Sequence, residues 1–266
     1  MAVGAMFSVM IIYEGGGIFL GIIGGMAAAT ALSLLFGLAV VVFRTDQVLT
    51  GLVIVALGGG ITGILGRAYM HKPITGIEKF EAGSLGEIPY IGKLLFEQDI
   101  LVYVTAIVVI GGWYLLMRTN WGLRLRSVGE DPATADISGV DVQATRLAAV
   151  AICGALCGLA GVYLAVVSSQ VWVEHMVAGR GWIAVALVIF ARWNPLRAIV
   201  GALVFGGAES LTPRLLAIGA DVPVYLMNML PYAITLLVLL WPYVRGKAES
   251  AAPTSLGQEF LRQDRH

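Results

Sequence analysis

From Gly17 to Phe43 the chain runs without a single charged side chain. Coiled as a helix at about 1.5 Å per residue, such a run outlasts the roughly 30 Å of hydrocarbon in a bilayer. Val48–Leu65, Ile100–Met117, Leu147–Val167 and Val224–Tyr243 are further runs of the same kind. In lipid no water is available to satisfy the peptide groups, so continuous apolar runs of this length predict membrane-spanning helices. The bulk composition agrees: 58% of residues are hydrophobic and 13% charged, with a mean hydropathy of +0.86. A soluble domain of this balance would lack the polar surface it needs.

The segment Gly181–Leu211 is also apolar but is cut by Arg192, Trp193, Asn194 and Pro195. Its first arm is too short to cross alone, which predicts a helical hairpin or a re-entrant pair. Met1–Ile12 has neither a basic leader nor a cleavage site and so does not read as a signal peptide; it reads as part of a helix whose beginning is missing. The expected fold is therefore an all-α polytopic transmembrane bundle of about seven or eight membrane segments, the Gly181–Leu211 hairpin included.

Charge orients the threading. Arg118, Arg124, Arg126 and Arg146 fall in one loop, and Arg245, Lys247, Arg262 and Arg265 in the tail. Alternation of the spans puts both on the same side, which the positive-inside rule makes the cytoplasm of a cell whose plasma membrane holds the protein. The expected layout is a membrane domain over 1–244, with a cytoplasmic loop at 118–146 and an extracellular loop at 67–99, and a cytoplasmic tail at 245–266.

Glycines spaced by four recur in separate spans: Gly17, Gly21 and Gly25; Gly59 and Gly63; Gly154 and Gly158. Such spacing lets helix backbones approach closely. Cys153 and Cys157 read as small packing residues, and Trp113, Trp121, Trp172, Trp182 and Trp241 as anchors at span ends.

Enzyme signatures are lacking. There is no phosphate-binding Gly-x-x-x-x-Gly-Lys-Ser/Thr loop, no His-Glu-x-x-His and no Gly-x-Ser-x-Gly. His71 and His175 alone make no metal site. The 17 basic and 17 acidic residues cancel, leaving no global field to attract nucleic acid. The secure spans contain no Asp, Glu, Lys or Arg, which weighs against the rival readings of an ion-coupled secondary transporter or a charged channel.

One cytoplasmic stretch, Gly122 to Val142, is punctuated as a helix. Asp131 suits the N-cap, Pro132 the first helical position and Gly139 a left-handed C′ position. Two turns of helix are marginal in water, so this one is expected to dock either on a cytoplasmic partner or on its own bundle.

These residues also resemble a known family. Gly122–Val142 looks like the coupling loop of permease subunits of bacterial ABC importers for branched-chain amino acids, ribose-type sugars and nucleosides. The Glu-Asp-Pro-Ala-Thr-Ala-Asp run, Gly179–Trp182, Arg192–Leu196 and Gln47–Arg67 are most similar to nucleoside and simple-sugar permeases that work with a Bmp-type lipoprotein receptor. Such permeases usually carry an Asn-x-Gly-x-Glu-Gly element near their start, and this chain opens on what normally follows it.

The resemblance implies that Glu130, Asp131, Pro132, Ala133, Thr134, Ala135, Asp136 and Gly139 form a coupling helix seated in a cytoplasmic ATP-binding subunit. It implies a second permease subunit and an extracytoplasmic solute-binding lipoprotein as further partners. The chain itself would bind no cofactor and would not be an enzyme, ATP being used by the partner. For solute passage the candidate polar residues are Asn228, ahead of Pro231, with Thr50, Thr62 and Glu209.

Overall fold

The computed structural model describes residues 1–77, 98–219 and 252–258, together with Phe260 and isolated positions between 229 and 240. The described residues form helices: α1 Ala2–Tyr13, α2 Gly17–Val42, α3 Gln47–Tyr69, α4 Ile100–Arg118, α5 Asn120–Glu130, α6 Pro132–Ile137, α7 Val142–Ser169, α8 Arg180–Phe190 and α9 Pro195–Ala217. Helices α2, α3, α4 and α7 are long and apolar enough to cross a membrane. They match four of the expected spans, α7 beginning at Val142 instead of Leu147. The fifth, Val224–Tyr243, lies outside the continuously described residues.

These helices are apolar all round. In α4 the mean hydropathy is 2.2 while only 6% of the spanning window is buried, and Phe19, Val55, Ile64 and Ile107 each stand mostly exposed. A helix that is apolar on its outer face needs hydrocarbon outside it.

The chain divides into two compact units. The first comprises 1–107, 120–178 and 255–266, and its core is α1. Ala5, Met6 and Val9 are fully buried among Val162, Ala165 and Val166 of α7, with Trp172 and Ile74 closing the cluster. The short N-terminal helix is thus the axis around which α2, α3 and α7 pack. Glycine makes this possible. A Cβ on Gly158 would lie 2.8 Å from Met26 Cα and 3.0 Å from the Gly25 carbonyl, and one on Gly25 would lie 2.5 Å from the Gly4 carbonyl. Backbone therefore meets backbone where α1, α2 and α7 cross, and the Ser33 hydroxyl of α2 donates to Val150 O of α7 at 3.0 Å.

The glycine pattern is borne out unevenly. Gly21, Gly25, Gly154 and Gly158 are contact points, but Gly17 and Gly59 have nothing near and Gly63 meets only the Glu174 carboxylate at 3.6 Å. Cys153 and Cys157 are exposed on α7 instead of packed. Trp172, expected as an interfacial anchor, is 2% exposed. Its indole lies against Gly66, where a side chain would strike it.

At that end of the unit the chain after α3 pairs with the chain after α7. His71 N–H donates to Trp172 O and Ile74 N–H to Gln170 O, each at 3.0 Å. Lys72 Nζ sits 4.6 Å from the Tyr13 ring centroid, and Tyr13 meets Tyr69 edge to face at 5.7 Å.

The second unit comprises 108–119 and 179–254 and contains the expected hairpin. Helix α8 has 11 residues, about 16 Å. Helix α9 has 23, about 34 Å, and runs past Leu211 to Ala217. Between them Arg192 and Trp193 adopt left-handed backbone, with φ of 51° and 55°. Asn194 then caps α9, its Oδ1 accepting from Leu196 N–H at 3.0 Å. Gly201 on α9 receives Phe190 and Leu187 of α8.

Candidate functional site

The stretch singled out in the sequence folds as two helices with a break between them. Asp131 has extended backbone, and its Oδ1 accepts from Ala133 N–H at 3.0 Å and Thr134 N–H at 3.1 Å. The Thr134 hydroxyl donates to Oδ2. These bonds favour the carboxylate, so the Asp131 pKa is held below its usual 3.8, first by the Thr134 hydroxyl and then by the Thr134 amide. Pro132 occupies the first helical position, where an N–H would find no helical partner anyway.

The other end closes as a Schellman motif. Gly139 N–H donates to Asp136 O and Val140 N–H to Ala135 O, both at 3.0 Å, with Gly139 at φ 83°. Six residues of helix are thus fixed at both termini, and Ala135 is anchored against Val128 of α5 and Val142 of α7, with Val140 and Phe260 alongside. The outer face is different. Glu130, Asp131, Thr134 and Gly139 are exposed, and Ile137 is 72% exposed at the helix tip.

Helix α5 was not foreseen as a helix, and Ile137 was not foreseen as a contact. α5 buries Gly122 and Val128 and leaves Leu123, Arg124 and Arg126 outward. At the turn from α6 into α7, a cavity of about 300 Å³ is lined by Arg44, Asp136, the 139–143 segment and Phe260. Arg44 and Arg146 line a common recess next to it.

The polar candidates within the membrane are not gathered into a cluster by their visible bonds. Thr62 is buried and its hydroxyl returns to Gly58 O at 2.9 Å on its own helix. Thr50 shares a hydrogen bond with Thr45 at 2.8 Å. Glu209 is paired with Arg180, whose Nε and terminal nitrogen approach Oε1 at 2.9 and 2.5 Å, tying the start of α8 to α9. Asn228 and Pro231 lie outside the described residues. Among the described residues no three His, Cys, Asp or Glu side chains gather in a way that could hold a metal ion.

Residues 1–239 match the family described as the branched-chain amino acid transport system permease component. The chain is 35% identical to the guanosine ABC transporter permease protein NupQ of Bacillus subtilis, over 86% of this chain and 78% of that one. It is 33% identical to the nucleoside ABC transporter permease protein NupC of Lactococcus lactis, over 98% and 86%. It is also 33% identical to TsgC13 of Haloferax volcanii, an ABC transporter permease named for glucose, over 99% and 87%. No solved structure matches the chain.

Proposed function

This chain belongs to the family of permease components of branched-chain amino acid transport systems, and from that premise we propose that it passes a nucleoside or simple sugar through the membrane as one permease of an ATP-driven importer. It is a multi-pass membrane protein of the plasma membrane, a subunit of an ABC importer. The nucleoside and sugar named for its relatives support the solute class. We assign it about seven or eight membrane segments, a second permease, a cytoplasmic ATP-binding subunit and an extracytoplasmic solute-binding lipoprotein. ATP hydrolysis falls to the partner, and this chain holds no cofactor.

The observation that supports the coupling role is the exposed Ile137 at the tip of a helix pinned at both ends. An isoleucine in water forgoes about 2–3 kcal/mol that burial would return, and the fixed caps mean that little ordering is needed to seat it. Glu130, Asp131 and Thr134 form the polar rim of that contact. When the ATP-binding subunits close, the push enters at α6 and shifts the bundle between inward-open and outward-open states. Only a differential stabilisation of those two states can do transport work.

For the solute path we assign Asn228, Thr50, Thr62 and Glu209. In the conformation described, Thr62 and Glu209 are bonded to the protein itself, so serving a polar solute requires those bonds to be exchanged. The test is a pull-down in mild detergent through a tag on this chain. Ile137→Asp is expected to remove ATPase activity from the eluate while the bundle still inserts, and Ile137→Leu to retain it. Undiminished recovery and transport with Ile137→Asp would sink the coupling assignment.

A further inference from the structure

The break between α5 and α6 takes the helical donors away from the carbonyls of Val128 and Gly129. In an unbroken helix Val128 O would accept from residue 132 and Gly129 O from residue 133. Pro132 has no N–H, and the Ala133 N–H is taken by Asp131 Oδ1 at 3.0 Å. Both carbonyls are served from the far end of the chain. Ser255 N–H donates to Gly129 O at 3.0 Å. Its hydroxyl lies 2.6 Å from Gly129 O and 3.2 Å from Val128 O. Ser255 is 8% exposed, so water has little access to replace it.

The rest of the segment is tied down as well. Gln258 N–H closes a turn on Ser255 O at 3.1 Å, with Gly257 at φ 78°. Gln258 O accepts from Arg146 at 3.4 Å, and Phe260 packs against the cluster of Val128, Ala135 and Val142. Ser255, Gln258 and Phe260 therefore touch the end of α5, the inner face of α6 and the first turns of α7.

We propose that this C-terminal segment is a working part of the coupling element, a splint that sets the angle between α5 and α6, with Ser255 as its positioning residue. The proposal rests on reading α6 as the helix that receives the push. On the α5 side the last helical bond is Asp131 N–H to Ser127 O at 2.9 Å, and on the α6 side the first is Ala135 N–H to Asp131 O at 3.1 Å. The joint between the helices is thus the backbone of one residue, braced from outside by Ser255 and Phe260. Braced, α6 moves α5 and α7 with it. Unbraced, α6 pivots under the push, and ATP is consumed with less solute moved.

The experiment uses the whole importer in proteoliposomes, with guanosine as solute, and reads guanosine moved per ATP hydrolysed. Ser255→Ala with Phe260→Ala is expected to lower that ratio about three- to tenfold, the scale of one or two lost hydrogen bonds, with the ATP-binding subunit still co-purifying. Ser255→Thr keeps both donors and is expected to keep the ratio. If the double variant leaves the ratio unchanged while Ile137→Asp releases the ATP-binding subunit, the splint is wrong and the coupling helix stands. If Ile137→Asp also changes nothing, the coupling reading fails and takes the splint with it. Should the double variant not fold, Val128→Cys with Phe260→Cys provides an independent measurement. Oxidative cross-linking of that pair is expected to leave the ratio within about twofold, because the splint stays seated throughout the cycle, and a cross-link that stops transport would overturn the proposal.

Discussion

Replacing Gly158 by alanine adds one methyl group at a place where the backbone of a neighbouring helix already stands close. The new Cβ would stand 2.8 Å from Met26 Cα, 2.9 Å from Ala29 Cβ and 3.0 Å from Gly25 O. Ordinary contact begins near 3.4 Å, so α2 and α7 must part by roughly half an ångström along their crossing. Two of the three obstructing atoms are backbone, and no rotamer change relieves them. Overpacking of this kind costs about 1–3 kcal/mol. Alanine favours helix over glycine by about 0.5–1 kcal/mol, leaving a net loss of roughly 1–2 kcal/mol. At about 2–4 °C per kcal/mol for a chain of this size, thermal unfolding of the detergent-purified protein should begin roughly 2–8 °C lower. Gly59→Ala is the comparison, because its Cβ would meet nothing within 4 Å. It should be neutral or slightly stabilising. Equal losses at both positions would refute the reasoning, since they would tie these glycines to helix flexibility instead of to the backbone crossing.

Two further outcomes follow from single side chains. Asp131→Ala removes the acceptor for two amides and a hydroxyl and should destabilise α6, read as faster amide exchange at Ala133 and Thr134; because the Asp131 pKa is lowered, its contribution is whole above pH 3.8 and fades as pH falls below that value, so the wild-type exchange rates should converge on the variant's only in acid. Trp172→Ala empties the pocket against Gly66 and should cost about 3–5 kcal/mol, with a correspondingly large fall in the unfolding temperature, whereas a fall no larger than that of an exposed tryptophan such as Trp182 would contradict its place in the core.

The spanning helices were legible because an uncharged run has few alternatives in lipid. What they pack against was not. A helix that is apolar on every side has no preferred face, so nothing in Met1–Ile12 distinguishes the axis of the first unit from a lipid-facing span. The same blindness explains the glycines: Gly59 repeats the spacing of Gly154 and Gly158, yet only the latter pair finds a backbone opposite. Trp172 sits near a span end in sequence, as an anchor would, and only the pairing of 70–74 with 170–172 turns it inward.

The stretch from Gly122 to Val142 was legible in its caps and illegible in the helix before them. Asp131, Pro132 and Gly139 have positional meanings that survive without tertiary context. In α5 the alternation Leu123-Arg124-Leu125-Arg126 reads as no helix, and Gly122 and Gly129 read as breakers. Gly122 and Val128, six residues apart, turn inward on that helix, and Val128 is held by Phe260 from outside it. Nothing in the sequence pairs Glu209, a candidate for solute passage, with Arg180, twenty-nine positions away, which the fold brings to it.

The bond between Gly129 and Ser255 spans 126 positions, and this sets a clock on biosynthesis. At about 5–20 residues per second, the carbonyls at the α5 break wait roughly 6–25 s for the serine that serves them. During that interval α7, α8 and α9 are still being made and the joint stays unfinished, open to water. A product that stops before Ser255 lacks the donor for those carbonyls. The joint at Gly129 thus records, in the finished molecule, that synthesis has run on to Ser255.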